Sequence, residues 1–169
     1  MLVMSTVLTW QILSTASGET ERLGELLGRH LKAPALVELR SDLGGGKTTF
    51  VKGLARGAGS RDTVTSPSFT LNQIYRAKGG VQISHHDFYR LKEAGIMADE
   101  LAESLQDDKT VTVVEWSGIV QNVLPPDRII VEFKPLATNT DERQIIFSYP
   151  ENQAGLVKQL KTEWAKVEP

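Results

Sequence analysis

The chain has no cysteine among its 169 residues, which excludes disulfides and thiolate metal sites. No run approaches the roughly 18 apolar residues that a membrane-spanning helix needs, so no membrane role is expected. Charge is not one-sided either. Lys and Arg total 19 against 21 Asp and Glu, a formal net charge of −2, without the electrostatic footprint of a protein that grips nucleic acid broadly on its own. Internal repeats and low-complexity tracts are lacking. The segment MLVMSTVLTW is mildly apolar, but it has no basic n-region and its apolar run is short, so it reads as structure, not a signal peptide. What is present is ordinary for a globular protein: 40% hydrophobic and 24% charged residues. The length suits one domain over residues 1–169, and a cytoplasmic location is expected.

Periodicity places the elements. Val7 to Leu13 alternates like a strand, and Leu23, Leu26, Leu27 and Leu31 share a helical face after a capping Ser17. Pro34 closes that helix. Ala35 to Leu39 (ALVEL) is a short apolar strand, and Thr48 to Ala58 reads as a helix with Phe50, Val51, Leu54 and Ala58 inward. Leu71–Tyr75 and Val81–His85 form a hairpin around Lys78-Gly79-Gly80. Ile96 to Leu105 is helical, Val111 to Val114 is a strand, and Ile129–Phe133 pairs antiparallel with Gln144–Tyr149. Glu151 to Val167 is an amphipathic helix with Leu156, Val157, Leu160, Trp164 and Val167 inward. The sum is an α/β domain with a mixed sheet.

The chemistry concentrates in Ser41 to Thr49 (SDLGGGKTT), between a strand and a helix. That is the layout of a phosphate-binding loop. Glycines let successive N–H groups wrap phosphates, and the following helix points its positive end at the anion. Asp42, Leu43, Gly44, Gly45, Gly46, Lys47, Thr48 and Thr49 are the candidate nucleotide contacts. Lys47 supplies a point charge for the β- and γ-phosphates, and the Thr48 hydroxyl a magnesium ligand. The usual pattern G-x-x-x-x-G-K-[ST] has one departure, Ser41 for the first glycine. With no Asn-Lys-x-Asp element for guanine, elimination favours adenine.

Magnesium needs an acidic partner at a neighbouring strand end. Glu115, after VTVV, is so placed and can bind the ion directly or through water, the alternative being a strand-end glutamate in solvent. Trp116 follows at the sheet's carboxyl edge, where ligands sit in α/β folds; a core tryptophan is the alternative. In SHHDFYRL, Asp87 can orient water or accept a proton and Arg90 can meet a phosphate, the alternative being a hydrogen-bonded turn cluster. His85 and His86 point to opposite strand faces and so do not share one ion. Thr65 to Thr70 is either a switch-like loop or an ordinary surface loop.

Together, SDLGGGKTT, TSPSFTL, HHDFYRL and VEWSG resemble the TsaE (YjeE) family, small bacterial ATPases of tRNA threonylcarbamoyladenosine synthesis, over about residues 20–143. The resemblance implies a P-loop NTPase-like three-layer fold, a central mixed β-sheet flanked by helices. It implies bound ATP or ADP with Mg2+, Lys47 on the phosphates, and Thr48 and Glu115 on the metal. Asp87 is then needed for hydrolysis, Ser66 to Thr70 acts as a switch, Trp116 lies at the nucleotide or partner surface, and Arg143 comes near the nucleotide. Residues around Ser14 to Thr20 contribute to the adenine pocket. The implied partners are TsaB and TsaD, which transfer the threonylcarbamoyl group to adenosine 37 of tRNA. ATP hydrolysis here supports their repeated turnover, and tRNA is met only through that complex. A second departure from the family pattern is Gly45 in place of alanine or serine, which is expected only to loosen the loop. On the residues alone, a small-molecule kinase and a non-catalytic nucleotide-gated binding protein remain open, though no arginine-rich lid segment is visible.

Overall fold

The computed structural model describes residues 6–42, 44–67, 72–93, 95–136 and 141–166. In chain order the elements are β1 (Val7–Ser14), α1 (Ser17–His30), β2 (Ala35–Arg40), α2 (Lys47–Gly57), β3 (Asn72–Arg76), β4 (Gln82–Asp87), α3 (Ile96–Gln106), β5 (Thr110–Glu115), β6 (Ile129–Pro135), β7 (Arg143–Pro150) and α4 (Ala154–Ala165). Short 3₁₀ turns cover Lys78–Gly80, Ser117–Val120 and Glu151–Gln153. The strands form one seven-stranded sheet in the order β1-β7-β6-β2-β5-β4-β3. β2 runs parallel to β5 and β6, and β4 parallel to β5, while β1, β7 and β3 are antiparallel to their neighbours. The expected mixed sheet, the β3–β4 hairpin and the late antiparallel pair are therefore all present.

The core divides between the two faces. On one, α1, α2 and α4 cover Val37, Leu39, Val113, Val131, Phe133, Ile145 and Phe147, with Phe50 packed edge-on to Phe133 at 5.4 Å between ring centroids. On the other, α3 and the 3₁₀ turn at Ser117 contribute Leu101 and Val120 to a smaller cluster with Leu36, Phe88 and Val114. The central strands β2 and β5 are buried on both faces, as parallel strands between helix layers are.

Three details depart from the sequence reading. Ser17 does not cap α1: the N-cap is Ala16, and the Glu19 carboxylate instead accepts from Thr15 N–H at 2.6 Å. α2 begins at Lys47, so the phosphate-loop lysine is its first residue. α4 begins at Ala154, because Glu151–Gln153 winds as a 3₁₀ turn; Leu156 is only partly buried, and Val167 lies outside the described residues.

The pair α1–α2 holds the phosphate-loop helix in place, and its interface is built from glycines. A Cβ on Gly24 would fall 2.1 Å from the Phe50 carbonyl oxygen, and one on Gly28 2.0 Å from that of Leu54. The reciprocal positions Gly53 and Gly57 face the Glu21 and Glu25 carbonyls at 1.8 and 2.1 Å. The two backbones touch, and no side chain fits between them. Gly28→Ala is expected to destabilise by more than about 2 kcal/mol, because a backbone must shift in a close-packed interior. Gly18→Ala in the same helix, with nothing within 4 Å of its Cβ, should change stability by no more than about 0.5 kcal/mol. Urea unfolding of the two variants checks this.

Candidate functional site

The parallel register fixes the site. Leu39 of β2 is level with Glu115 of β5, and Glu115 with Asp87 of β4. All three strands therefore end at one edge, and the loop leaving β2 wraps into α2 above them. A cleft of about 270 Å³ lies there, lined by Gly44, Gly45, Gly46, Lys47, Thr48, Thr49, Ser66, Asp87, Glu115 and Trp116. The structure thus brings the glycine loop, Lys47, Thr48, Asp87, Glu115 and Trp116 together. Arg143 joins from β7, its guanidinium donating to the Gly44 carbonyl at 3.3 Å. Asp42 stands beside the cleft, where its carbonyl accepts from Gly45 N–H at 3.2 Å. Leu43 and residues 68–70 of the expected switch lie outside the described residues. Arg90 does not line the cleft.

The loop takes backbone conformations that require glycine. Gly44 and Gly46 have φ of 76° and 99°, values that side chains other than glycine rarely adopt. Gly46 is the N-cap of α2 with no side-chain cap, and the first residues of the helix, Lys47, Thr48 and Thr49, line the cleft. A Cβ on Gly46 would lie 3.6 Å from the Thr20 methyl, which brings the segment after β1 against the loop. Lys47 Nζ donates to the Ser41 and Asp42 carbonyls at 3.1 and 3.4 Å and sits 4.5 Å from the centroid of the Trp116 ring. Burial pushes its pKa down, and the charges of Glu115, Asp87 and Asp42 push back.

The two departures in the loop are one feature. A Cβ on Gly45 would fall 1.5 Å from Ser41 Oγ and 2.7 Å from Ser41 Cβ. The serine side chain occupies the space that an alanine at position 45 would use, and its hydroxyl donates to the Asp42 carbonyl at 2.8 Å. Gly45 therefore does not loosen the loop; it makes room for Ser41.

The acidic side of the cleft is buried. Glu115 is 3% exposed and meets His85 Nε2 at 3.1 Å. His85 is fully buried on the same face as Asp87, while His86 lies on the other face with Ser84 and Ser104, so the adjacent histidines do diverge. Asp87 Oδ1 accepts from Tyr89 N–H at 2.9 Å. Trp116 is half-buried, neither a core residue nor a free one. Its backbone is left-handed at φ 53°, and its ring tilts against Tyr89 at 4.8 Å. A hydroxyl and one carboxylate suit Mg2+, which takes few protein ligands and completes its shell with phosphate oxygens and water. Among the described residues no group of three or more His, Cys, Asp or Glu forms a protein-only metal cage.

One polar cluster escaped the sequence reading. Glu38, inside the apolar ALVEL, is fully buried and accepts from Ser117 Oγ, Gln121 Nε2 at 2.7 Å, Arg128 Nε at 2.9 Å and Arg40 Nη2 at 3.1 Å. Burial raises its pKa, but the donors from Ser117, Arg128, Arg40 and Gln121 outweigh that and hold it at about 2. The signal was an acid among apolar neighbours in a central strand, which requires buried donors.

The protein-family model for threonylcarbamoyl adenosine biosynthesis protein TsaE matches residues 14–145. The chain belongs to the TsaE family. It is 36% identical over 129 residues to the tRNA threonylcarbamoyladenosine biosynthesis protein TsaE of Treponema pallidum, covering 76% of this chain and 94% of the relative. The Bacillus subtilis TsaE is 33% identical over 130 residues, covering 77% and 79% of the two chains. The crystal structure of Bacillus subtilis YdiB superposes with a TM-score of 0.73 at 28% identity, covering 94% of this chain and 97% of that one. The TsaE match spans the glycine loop, Asp87, Glu115 and Trp116, the residues that line the cleft.

Gly45→Ala alone should lower thermal stability by more than about 1 kcal/mol, whereas Ser41→Gly with Gly45→Ala should return to within about 0.5 kcal/mol of the wild type; additive losses would refute the pairing. Acid lability should come in two stages. Burial first, then neighbouring His85, holds the pKa of His86 down at about 4 against 6.5. The unfolded chain then takes up that proton first, so about 3 kcal/mol is lost as pH falls from 6.5 to 4. Glu38 contributes a similar amount, present above pH 4.5 and lost as pH falls to about 2. Urea midpoints across pH 7 to 4 should slope in the wild type and flatten in His86→Asn.

Proposed function

We propose that this chain is an ATPase: it binds ATP with Mg2+, hydrolyses it weakly alone, and acts with TsaB and TsaD in making threonylcarbamoyladenosine at position 37 of tRNA. The observation that carries the reading is the convergence of Lys47, Thr48, Asp87 and Glu115 on one cleft beneath a glycine cradle. The cradle's N–H groups and the start of α2 donate to the phosphates, while Lys47 neutralises charge on the transferred phosphoryl group. Thr48 and Glu115 would hold Mg2+, which supplies electrostatic stabilisation of charge on the phosphate oxygens. Asp87, buried at the end of β4, orients the attacking water and takes its proton as the oxygen bonds to phosphorus and ADP leaves. Arg143 steadies the loop through Gly44. The net charge of −2 fits a subunit that meets tRNA only through TsaB–TsaD, and the reading carries with it a cytoplasmic location.

ATP hydrolysis by the wild type, Lys47→Ala, Asp87→Asn and Glu115→Ala, with and without TsaB–TsaD, tests this. The wild type should turn over slowly and change rate when the partners are added. Each variant should lose about 100-fold or more, the usual cost of removing a charge-stabilising or proton-accepting group. Undiminished hydrolysis in Glu115→Ala would remove that residue from the site. Phosphate transfer to a metabolite would favour a kinase, and binding without hydrolysis even with partners a nucleotide-gated adaptor.

A further inference from the structure

Glu38 is not in the cleft and no proposed step uses it, yet it is fully buried on a strand whose neighbours Leu36, Val37 and Leu39 are apolar. Burying a carboxylate with its donors seldom gains stability over an apolar residue of the same size. The position therefore calls for what the charge holds. Oε1 accepts from Ser117 Oγ, from Gln121 Nε2 at 2.7 Å and from Arg40 Nε at 3.2 Å; Oε2 accepts from Arg128 Nε at 2.9 Å and Arg40 Nη2 at 3.1 Å. The donors also bind one another or nearby backbone: Gln121 Nε2 donates to Ser117 Oγ at 2.6 Å, and Arg128 donates to Gln121 Oε1 at 3.2 Å and to the Pro125 carbonyl at 2.9 Å. The network is closed, and its geometry fixes where Ser117 stands.

Ser117 immediately follows Trp116, the only residue other than glycine with positive φ among the described residues. A tryptophan does not choose a left-handed backbone unaided; surrounding structure must impose it. On one side of Trp116 is Glu115, locked in β5. On the other is Ser117, locked by Glu38. The ring held between these anchors lies over Lys47 Nζ. Glu38 also clasps Arg40, the residue before Ser41, so one carboxylate secures both the start of the phosphate loop and the turn that roofs it.

We infer that Glu38 is a positioning residue, which sets the Trp116–Ser117 turn so that the Trp116 ring covers Lys47 at the phosphate site. The effect on catalysis rests on the ATPase reading; the effect on Trp116 does not.

The test uses the full chain carrying Glu38→Gln or Ser117→Ala, each also made with Trp116→Phe so that the difference in fluorescence isolates Trp116 from Trp10 and Trp164. Acrylamide quenching of that difference signal reads the ring's shielding, ATP titration and turnover read the site, and circular dichroism reads folding. Glu38→Gln should stay folded, make Trp116 at least twofold more quenchable, and lower turnover about tenfold. Ser117→Ala should move both readouts the same way, and the double variant should add little. Folded Glu38→Gln with wild-type quenching would overturn the inference. If Glu38→Gln does not fold, Ser117→Ala decides, and wild-type quenching there overturns it equally. A wild type that neither binds nor hydrolyses ATP sinks the ATPase reading alone, because Trp116 quenching still judges Glu38.

Discussion

The register of three parallel strands governs everything else at the site. β2, β5 and β4 are aligned so that Leu39, Glu115 and Asp87 stand level. A slip of one residue in any of them would turn its carboxyl-end side chain to the opposite face. Burial on both faces prevents that slip. Val37, Leu39 and Val113 are committed to the core under α1 and α2, and Leu36 and Val114 to the core under α3. The hydrophobic pattern thus sets, without any contact to the cleft, which carboxylates face Lys47.

The same burial makes the edge electrostatically demanding. Lys47, Glu115 and Glu38 all lie in low-dielectric surroundings, where an uncompensated charge is costly. Compensation is local in each case. Glu115 has His85, Glu38 has its donors, and Lys47 has loop carbonyls, the Trp116 ring and the field of three acids. His86 is handled differently, being kept neutral between Ser84 and Ser104. The charges that converge on the cleft carry the proposed chemistry, while those set back from it hold the parts in place.

Legibility in the sequence followed locality. The phosphate loop and the elements around it were readable because their spacing is contiguous. Glu115 was readable because a carboxylate ending an apolar run marks a strand edge in an α/β sheet, and Asp87 because it stands in the polar cluster SHHDFYRL. Contacts between distant segments were not. His85 meets Glu115 across 30 positions, and Glu38 meets Arg128 across 90. Gly24, Gly28, Gly53 and Gly57 show four-residue spacing, but nothing in the string says that one pair faces the other. Ser41 and Gly45 read as two separate departures because only three dimensions place the serine hydroxyl where a second Cβ would go. Ser17 has the chemistry of a cap, but the chain reaches α1 with Ala16 at that position and Glu19 satisfying Thr15.

The central claim is that this cleft takes ATP and magnesium as a unit. Titration of ATP into the wild type and Glu115→Ala, each with excess Mg2+ and with EDTA, tests it most directly. Mg2+ should tighten ATP binding to the wild type by about tenfold or more, about 1.4 kcal/mol, and Glu115→Ala should retain weak binding but lose that gain. Equal affinity with and without Mg2+ in the wild type, or an undiminished gain in Glu115→Ala, would contradict it.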